Sequence, residues 1–85
     1  MQIIVYSTSS CPYCKMLKDY LTQKGTSYAE KLVDQDEAAR EEMMVFSDGF
    51  LGVPFTVITK DDGIKETIMG FDKGKLNSVL GIQEK

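Results

Sequence analysis

Ile3-Ile4-Val5-Tyr6, followed after Ser7-Thr8-Ser9-Ser10 by Cys11-Pro12-Tyr13-Cys14, is the stretch that decides how this 85-residue chain is read. Residues 2 to 7 contain four apolar residues in succession, three of them β-branched, which fits a strand covered on both faces better than a solvated one. Proline is favoured at the first helical position, where its missing N–H would have had no intrahelical partner, so Pro12 marks a helix start and makes Cys11 its N-cap. The unpaired N–H groups of a first helical turn and the helix dipole both favour a thiolate over a thiol at such a position. Cys14 lies three residues on, on the same helical face, close enough that a bridge between the two needs little backbone movement. These are the only two cysteines. A Cys-x-x-Cys at a strand-to-helix junction in a small protein reads as a redox-active dithiol that opens and closes reversibly.

Composition narrows the alternatives. The length suits a single domain, 1–85, with a modest core and no room for a large enclosed site, so a substrate is expected to dock on the surface. Thirteen Asp and Glu stand against ten Lys and Arg with no His and no Trp, and no basic cluster favours nucleic acid. Residues 28 to 50 hold seven acids and two bases, whereas residues 1 to 27 hold three lysines and only Asp19 as an acid, which leaves the cysteine end locally basic. The N-terminal apolar run is too short for a signal sequence or membrane span and has no basic segment before it. A cytoplasmic protein with no membrane partner is expected, and in a reducing cytoplasm a single Cys pair is unsuited to be a structural staple. Zinc normally takes four ligands, and without His or further Cys an intramolecular metal site is not expected.

The rest of the chain continues the pattern. A helix runs from Pro12 to about Lys24 with Leu17, Tyr20 and Leu21 as its inner stripe and Gly25 placed to end it. Residues 27 to 33 form a strand of weaker pattern marked by Tyr28 and Val33. Ala39, Met43 and Phe46 recur at helical spacing in the acid-rich run from Asp36 to Phe46, capped by Asp34 or Asp36. Ser47 to Gly52 reads as a loop. Strands at 55–59 and 64–69 are joined by Lys60-Asp61-Asp62-Gly63, whose Asp-Gly step is a hairpin signal. A last helix, about Lys73 to Leu80, turns Leu76, Val79 and Leu80 inward. The order is βαβαββα, an α/β protein.

Cys11-Pro12-Tyr13-Cys14 after the first strand, Gly52-Val53-Pro54 before a hairpin and Gly70-Phe71-Asp72 before the final helix together resemble the glutaredoxin family. The resemblance covers almost the whole chain and implies a thioredoxin-like fold, in which a four-stranded mixed sheet is flanked by three helices. The implied activity is that of a thiol-disulfide oxidoreductase reduced by glutathione, a monomer with no bound cofactor that acts on disulfide-containing proteins or glutathione mixed disulfides. Cys11 would attack a substrate disulfide and Cys14 would resolve the mixed disulfide. The resemblance makes the Val53–Pro54 bond cis, faces Pro54 toward the cysteines and has Val53 offer its backbone to an extended substrate. Tyr13 would act as a lid over the sulfurs. Gly70, Phe71 and Asp72 would receive the γ-glutamyl end of glutathione at the start of the last helix, while Asp72 reads equally as an ordinary N-cap.

Two departures from the family pattern bear on glutathione as co-substrate. Met69 stands where the first of two glycines is common, and Lys73 where a second polar residue is common. Thr8 occupies the position three before the first cysteine where glutathione users carry a lysine, with Arg40 and Lys15 as the available substitutes. These features are similar to those of the redoxins that donate electrons to ribonucleotide reductase and are recharged by thioredoxin reductase. A role of another class, an iron–sulfur cluster bridged between two protomers, is disfavoured within the family by Pro12.

Overall fold

The computed structural model describes residues 2–49 and 52–81. The elements are β1 (Gln2–Ser7), α1 (Pro12–Gln23), β2 (Ala29–Leu32), α2 (Glu37–Ser47), β3 (Phe55–Thr59), β4 (Lys65–Met69) and α3 (Lys73–Leu80). They form one sheet of order β2-β1-β3-β4, in which β1 and β2 are parallel while β1/β3 and β3/β4 are antiparallel. This is the four-stranded mixed sheet with three helices expected of a thioredoxin-like fold.

Local chemistry accounts for each boundary. At the end of α1, Gly25 takes φ 70°. Its N–H reaches the Thr22 carbonyl at 3.0 Å and the Thr26 N–H reaches the Leu21 carbonyl at 2.9 Å, so two otherwise orphaned carbonyls are satisfied around a left-handed glycine. At the start of α2 the cap is Asp36, whose Oδ1 accepts from the Ala39 N–H at 3.2 Å. Asp34, the other expected cap, is engaged elsewhere. The helix runs one residue beyond the expected Phe46: Ser47 is buried within it, and the turn is made by Asp48 at φ 57° and Gly49 at φ 87°. Phe50 and Leu51, from the expected 47–52 loop, lie outside the described residues. Strand β2 is shorter than the expected 27–33: it covers Ala29–Leu32, with Tyr28 packed against the core just ahead of it. In the hairpin, the Lys60 N–H donates to the Ile64 carbonyl at 2.8 Å and Gly63 supplies φ 88°.

The central strands are covered on both faces, as the unbroken apolar run in β1 requires. On one side Ile3 and Val5 of β1, Ile58 of β3 and Ile68 of β4 meet Leu17, Tyr20 and Leu21 of α1 and Leu76 of α3. On the other side Tyr6, Phe55 and Val57 meet Met43 of α2. Alternate residues of one strand therefore point to opposite layers, following the period of two of a pleated strand. Tyr6 is fully buried and donates its hydroxyl to Glu42 of α2, which also holds Lys31 of β2 at 2.9 Å. Burial first, and the Glu42 carboxylate second, hold the Tyr6 phenol well above its ordinary pKa, so it stays a donor. The α2 layer is thus tied to two strands by a satisfied polar network as well as by Met43.

Leu76 is the only fully buried side chain of the short helix α3. Truncating a buried leucine to alanine removes its transfer energy and leaves a cavity, typically about 2–5 kcal/mol. Leu76→Ala is expected to lower stability by that amount in urea titration, with far smaller loss for the exposed Val45→Ala.

Candidate active site

The register of the sheet decides which residues meet. In the antiparallel pair, Tyr6 of β1 lies opposite Phe55 of β3, and Phe55 lies opposite Met69 of β4. Three chain segments therefore leave the sheet at the same end: the loop from Ser7 to Cys11, the Val53-Pro54 step ahead of β3, and Gly70-Phe71-Asp72 after β4. The Gly70 N–H donates to the Pro54 carbonyl at 2.8 Å and closes the third segment onto the second.

Cys11 is the N-cap of α1, with extended backbone at φ −90° and ψ 113°, and Pro12 opens the helix. Its sulfur accepts a hydrogen bond from the Cys14 N–H at 3.2 Å. That contact is the one a thiolate at a helix start would use, a charge-assisted bond from an otherwise unpaired N–H. The Cys11 Sγ also lies 4.0 Å from the Val53 carbonyl oxygen. The Val53–Pro54 bond is cis, as the resemblance implied.

Cys14 is in a different environment. It is 1% exposed, and burial, followed by its hydrogen bond with Cys11, pushes its thiol up to about 12, with the Thr8 backbone and the Lys18 charge opposing less strongly. One cysteine of the pair is half-exposed at the surface and the other is enclosed behind it. Both are free thiols, so the structure has the dithiol form of the pair.

The remaining sequence candidates separate. Tyr13, between the two cysteines, is 62% exposed. Phe71 packs edge-on against Tyr20 with ring centroids 5.8 Å apart, under the Lys73 ammonium, so its ring joins α3 to α1. Asp72 caps α3, its Oδ1 accepting from the Lys75 N–H at 3.0 Å. Gly70 adopts φ 70°, and a side chain there would meet no atom within 4 Å. The backbone conformation alone accounts for a glycine here. Arg40 and Lys15 are both exposed.

Two groupings at this end had no signal in the sequence. Asp34, in the turn after β2, accepts from both the N–H and the hydroxyl of Ser9, at 3.2 and 2.6 Å, and so holds the loop that leads to Cys11. Glu30 of β2 accepts from the Ser7 hydroxyl at 2.7 Å and pairs with Lys18 of α1 at 2.6 Å. A cleft of about 480 Å³ lies between these groups and the cysteine, with Thr8, Ser10, Cys11, Lys15, Lys18 and Glu30 among its walls. Residues 23 and 12 positions apart in the chain meet here only because β1 and β2 pair in parallel.

The family model for glutaredoxin matches residues 3–64. The chain belongs to the glutaredoxin family. It is 38% identical over 78 residues to a glutaredoxin-like 8.6 kDa protein in the rubredoxin operon of Clostridium pasteurianum, covering 92% of this chain and 96% of that one. The glutaredoxin-like protein NrdH of Lactococcus lactis is 37% identical over 60 residues, covering 71% of this chain and 78% of its own. Among solved structures, a mutant of the thioredoxin-like protein BC3987 superposes with TM-score 0.82 at 34% identity, over 96% of this chain and 97% of that one. This glutaredoxin is a thiol-disulfide oxidoreductase on a thioredoxin-like fold. No described helix is long and apolar enough to cross a membrane. Among the described residues there is no group of three or more His, Cys, Asp or Glu arranged to hold a metal.

The contrast between the two thiols leads to a direct chemical expectation. Because the Cys14 thiol is held up near 12, it stays protonated until the solution pH approaches that value, and it is enclosed as well. Iodoacetamide near neutral pH is expected to modify the reduced protein once, at Cys11, with peptide mass mapping finding Cys14 unmodified. Comparable labelling of both cysteines in the folded protein would contradict the arrangement.

Proposed function

We propose that this protein reduces disulfides of other proteins by a two-step dithiol exchange in which Cys11 is the attacking sulfur and Cys14 the resolving one. The observation that carries the reading is the placement of the Cys11 sulfur at the N-cap of α1, bonded to the Cys14 N–H at 3.2 Å and half-exposed, with Cys14 enclosed behind it. Cys11 thiolate attacks one sulfur of the substrate disulfide, forms a mixed disulfide and expels a substrate thiolate. Cys14 then attacks the Cys11 sulfur, the Cys11–Cys14 bond forms, and the second substrate thiol leaves. The oxidised pair is restored by two electrons from a reductant.

Substrate contact through main chain suits a carrier that accepts different disulfides. The Val53 carbonyl ahead of Pro54 lies 4.0 Å from the Cys11 sulfur and so offers a main-chain ledge beside it, and we assign Tyr13, Gly70, Phe71 and Asp72 to the surrounding substrate surface. An extended peptide needs only its own N–H and C=O to be recognised there. We assign the protein to a reducing cytoplasm, where a single dithiol is kept reduced.

The reductant is the finer question. Family members that use glutathione hold its carboxylates with cations, and in this chain Thr8 stands where a lysine is common, Lys73 lies over the Tyr20 and Phe71 rings and the Asp72 carboxylate caps a helix. We therefore assign glutathione a minor role and favour recharging by a thioredoxin reductase. The second reading, electron donation to ribonucleotide reductase, rests on the departures at Met69 and Thr8, which resemble the redoxins with that role. A bridging iron–sulfur cluster has no supporting observation at this site.

Cys11→Ser is expected to abolish reduction of a model disulfide, whereas Cys14→Ser should accumulate the mixed disulfide as a species detectable by intact mass; equal loss of the first attack in both variants would refute the assignment. Thr8→Lys is expected to raise glutathione-dependent turnover roughly tenfold, because a charge-assisted contact is worth on the order of 1–3 kcal/mol. Assay with glutathione and glutathione reductase, beside one with thioredoxin reductase, measures it. Efficient turnover of the unmodified protein on glutathione, with no gain from the lysine, would overturn the reading.

A further inference from the structure

The resolving step carries a difficulty that the division of labour above creates. Cys14 must act as a thiolate in a place where burial holds the proton on it. The same sulfur must leave as a thiolate when a reductant opens the Cys11–Cys14 bond. A buried anion of this kind needs a compensating charge nearby.

The structure has one in place. Lys18 lies four residues beyond Cys14 on α1, one turn along the same face, where side chains are neighbours at about 5–6 Å between Cβ atoms. Its ammonium is fixed by Glu30 at 2.6 Å, and Glu30 is in turn fixed by the Ser7 hydroxyl at 2.7 Å. The ion pair is only about a quarter exposed, with side-chain values of 27% and 29%. A lysine held this way has lost the freedom that makes most surface lysines ineffective at a distance. The other titratable groups facing this corner are Cys11, which lies on the surface side, and Tyr28, which faces Lys18. The side chains that β1, β3, β4 and α3 turn toward α1 in the core are Ile3, Val5, Ile58, Ile68 and Leu76, none of them charged. Of the two lysines that line the adjoining cleft, Lys15 is exposed, and Lys18 is the one whose charge bears on Cys14.

We infer that Lys18, clamped by Glu30 and Ser7, is a positioning residue for the resolving half-reaction, in which its ammonium stabilises the Cys14 thiolate as nucleophile and, in the reverse direction, as leaving group. The inference rests on the assignment of Cys14 as the resolving sulfur. Lys18 gives up no proton. The Cys14 proton passes to solvent, the Cys14 sulfur bonds to Cys11 as the bond to the substrate sulfur breaks, and the expelled substrate thiolate is protonated in turn. The net change is one disulfide exchanged for another with one thiol consumed and one produced. Lysine serves both directions because a thiolate of lower proton affinity forms more readily and also leaves more readily.

Removing the charge acts on the rate in a calculable way. Each tenfold loss of thiolate is partly offset by a nucleophilicity gain of about 2.5- to 3-fold, so the resolving step slows by about 3- to 4-fold per tenfold loss.

Stopped-flow mixing of the fully reduced protein with limiting dithionitrobenzoate separates the steps, because one coloured thiol is released on attack by Cys11 and the second on resolution by Cys14. Lys18→Met is expected to leave the first phase unchanged and to slow the second by at least about 3-fold, with its rise with pH displaced to higher pH. Lys18→Arg should restore the second phase. Lys18→Met combined with Glu30→Gln should stay slow, since the missing cation and not an orphaned carboxylate is the cause. A second phase as fast as in the unmodified protein in Lys18→Met, or full recovery in the double variant, would overturn the inference. Absence of a Cys11 mixed disulfide in Cys14→Ser would overturn the two-step assignment itself.

Discussion

The pairing of β1 with β3, in which Tyr6 lies opposite Phe55, is the constraint on which the site depends. An antiparallel register shifted by one residue would turn every side chain of β3 to the opposite layer. Phe55 and Val57 would leave the α2 side and Ile58 would leave the α1 side, which the two separate cores do not permit. With the register held, the residue ahead of Phe55 must sit where β1 gives way to the cysteine loop. The main-chain ledge at Val53 meets the Cys11 sulfur because both cores are filled.

The parallel pairing of β1 with β2 does a second job. It sets Glu30 on the strand beside the one that leads to Cys11, and Asp34 in the turn after it, so that Ser7 and Ser9 each find a carboxylate. A loop of four consecutive small hydroxyl residues and a helix cap would otherwise have little to hold it. Two hydrogen-bonded carboxylates, one on the neighbouring strand and one in the turn after it, hold the approach to the nucleophile. This leaves the surface around Cys11 open to substrate.

The two cysteines share a motif and a helix turn but differ in exposure, and that difference comes from the helix itself. The N-cap side chain folds back over the first turn while the residue three on points down into the layer between α1 and the sheet. Leu17, Tyr20 and Leu21 continue the same inward stripe. Cys14 is buried for the reason those residues are, and its raised proton affinity follows from that packing. The asymmetry on which the proposed two-step exchange draws is thus a consequence of helix periodicity acting on a Cys-x-x-Cys spacing.

Much of this was legible in the amino-acid sequence alone. The Pro12 start, the Gly25 stop, the Asp-Gly hairpin and the unbroken apolar run of β1 are local signals, each set by the conformational preferences of one or a few neighbouring residues, and every element they implied is present. Boundaries moved by a residue or two, as at Ser47, which is buried within α2. At Asp72 the motif allowed a ligand contact or a cap, and the structure shows the carboxylate engaged as the cap. The pairs Lys18–Glu30, Ser7–Glu30, Ser9–Asp34 and Tyr6–Glu42 were invisible, because a charge or hydroxyl in a sequence carries no record of which distant strand will lie beside it. Helix starts, turns and the reactive motif are determined by chemistry within a few residues, whereas the partners that clamp the cysteine loop and set a cation beside Cys14 exist only once β1 has chosen β2 and β3 as its neighbours.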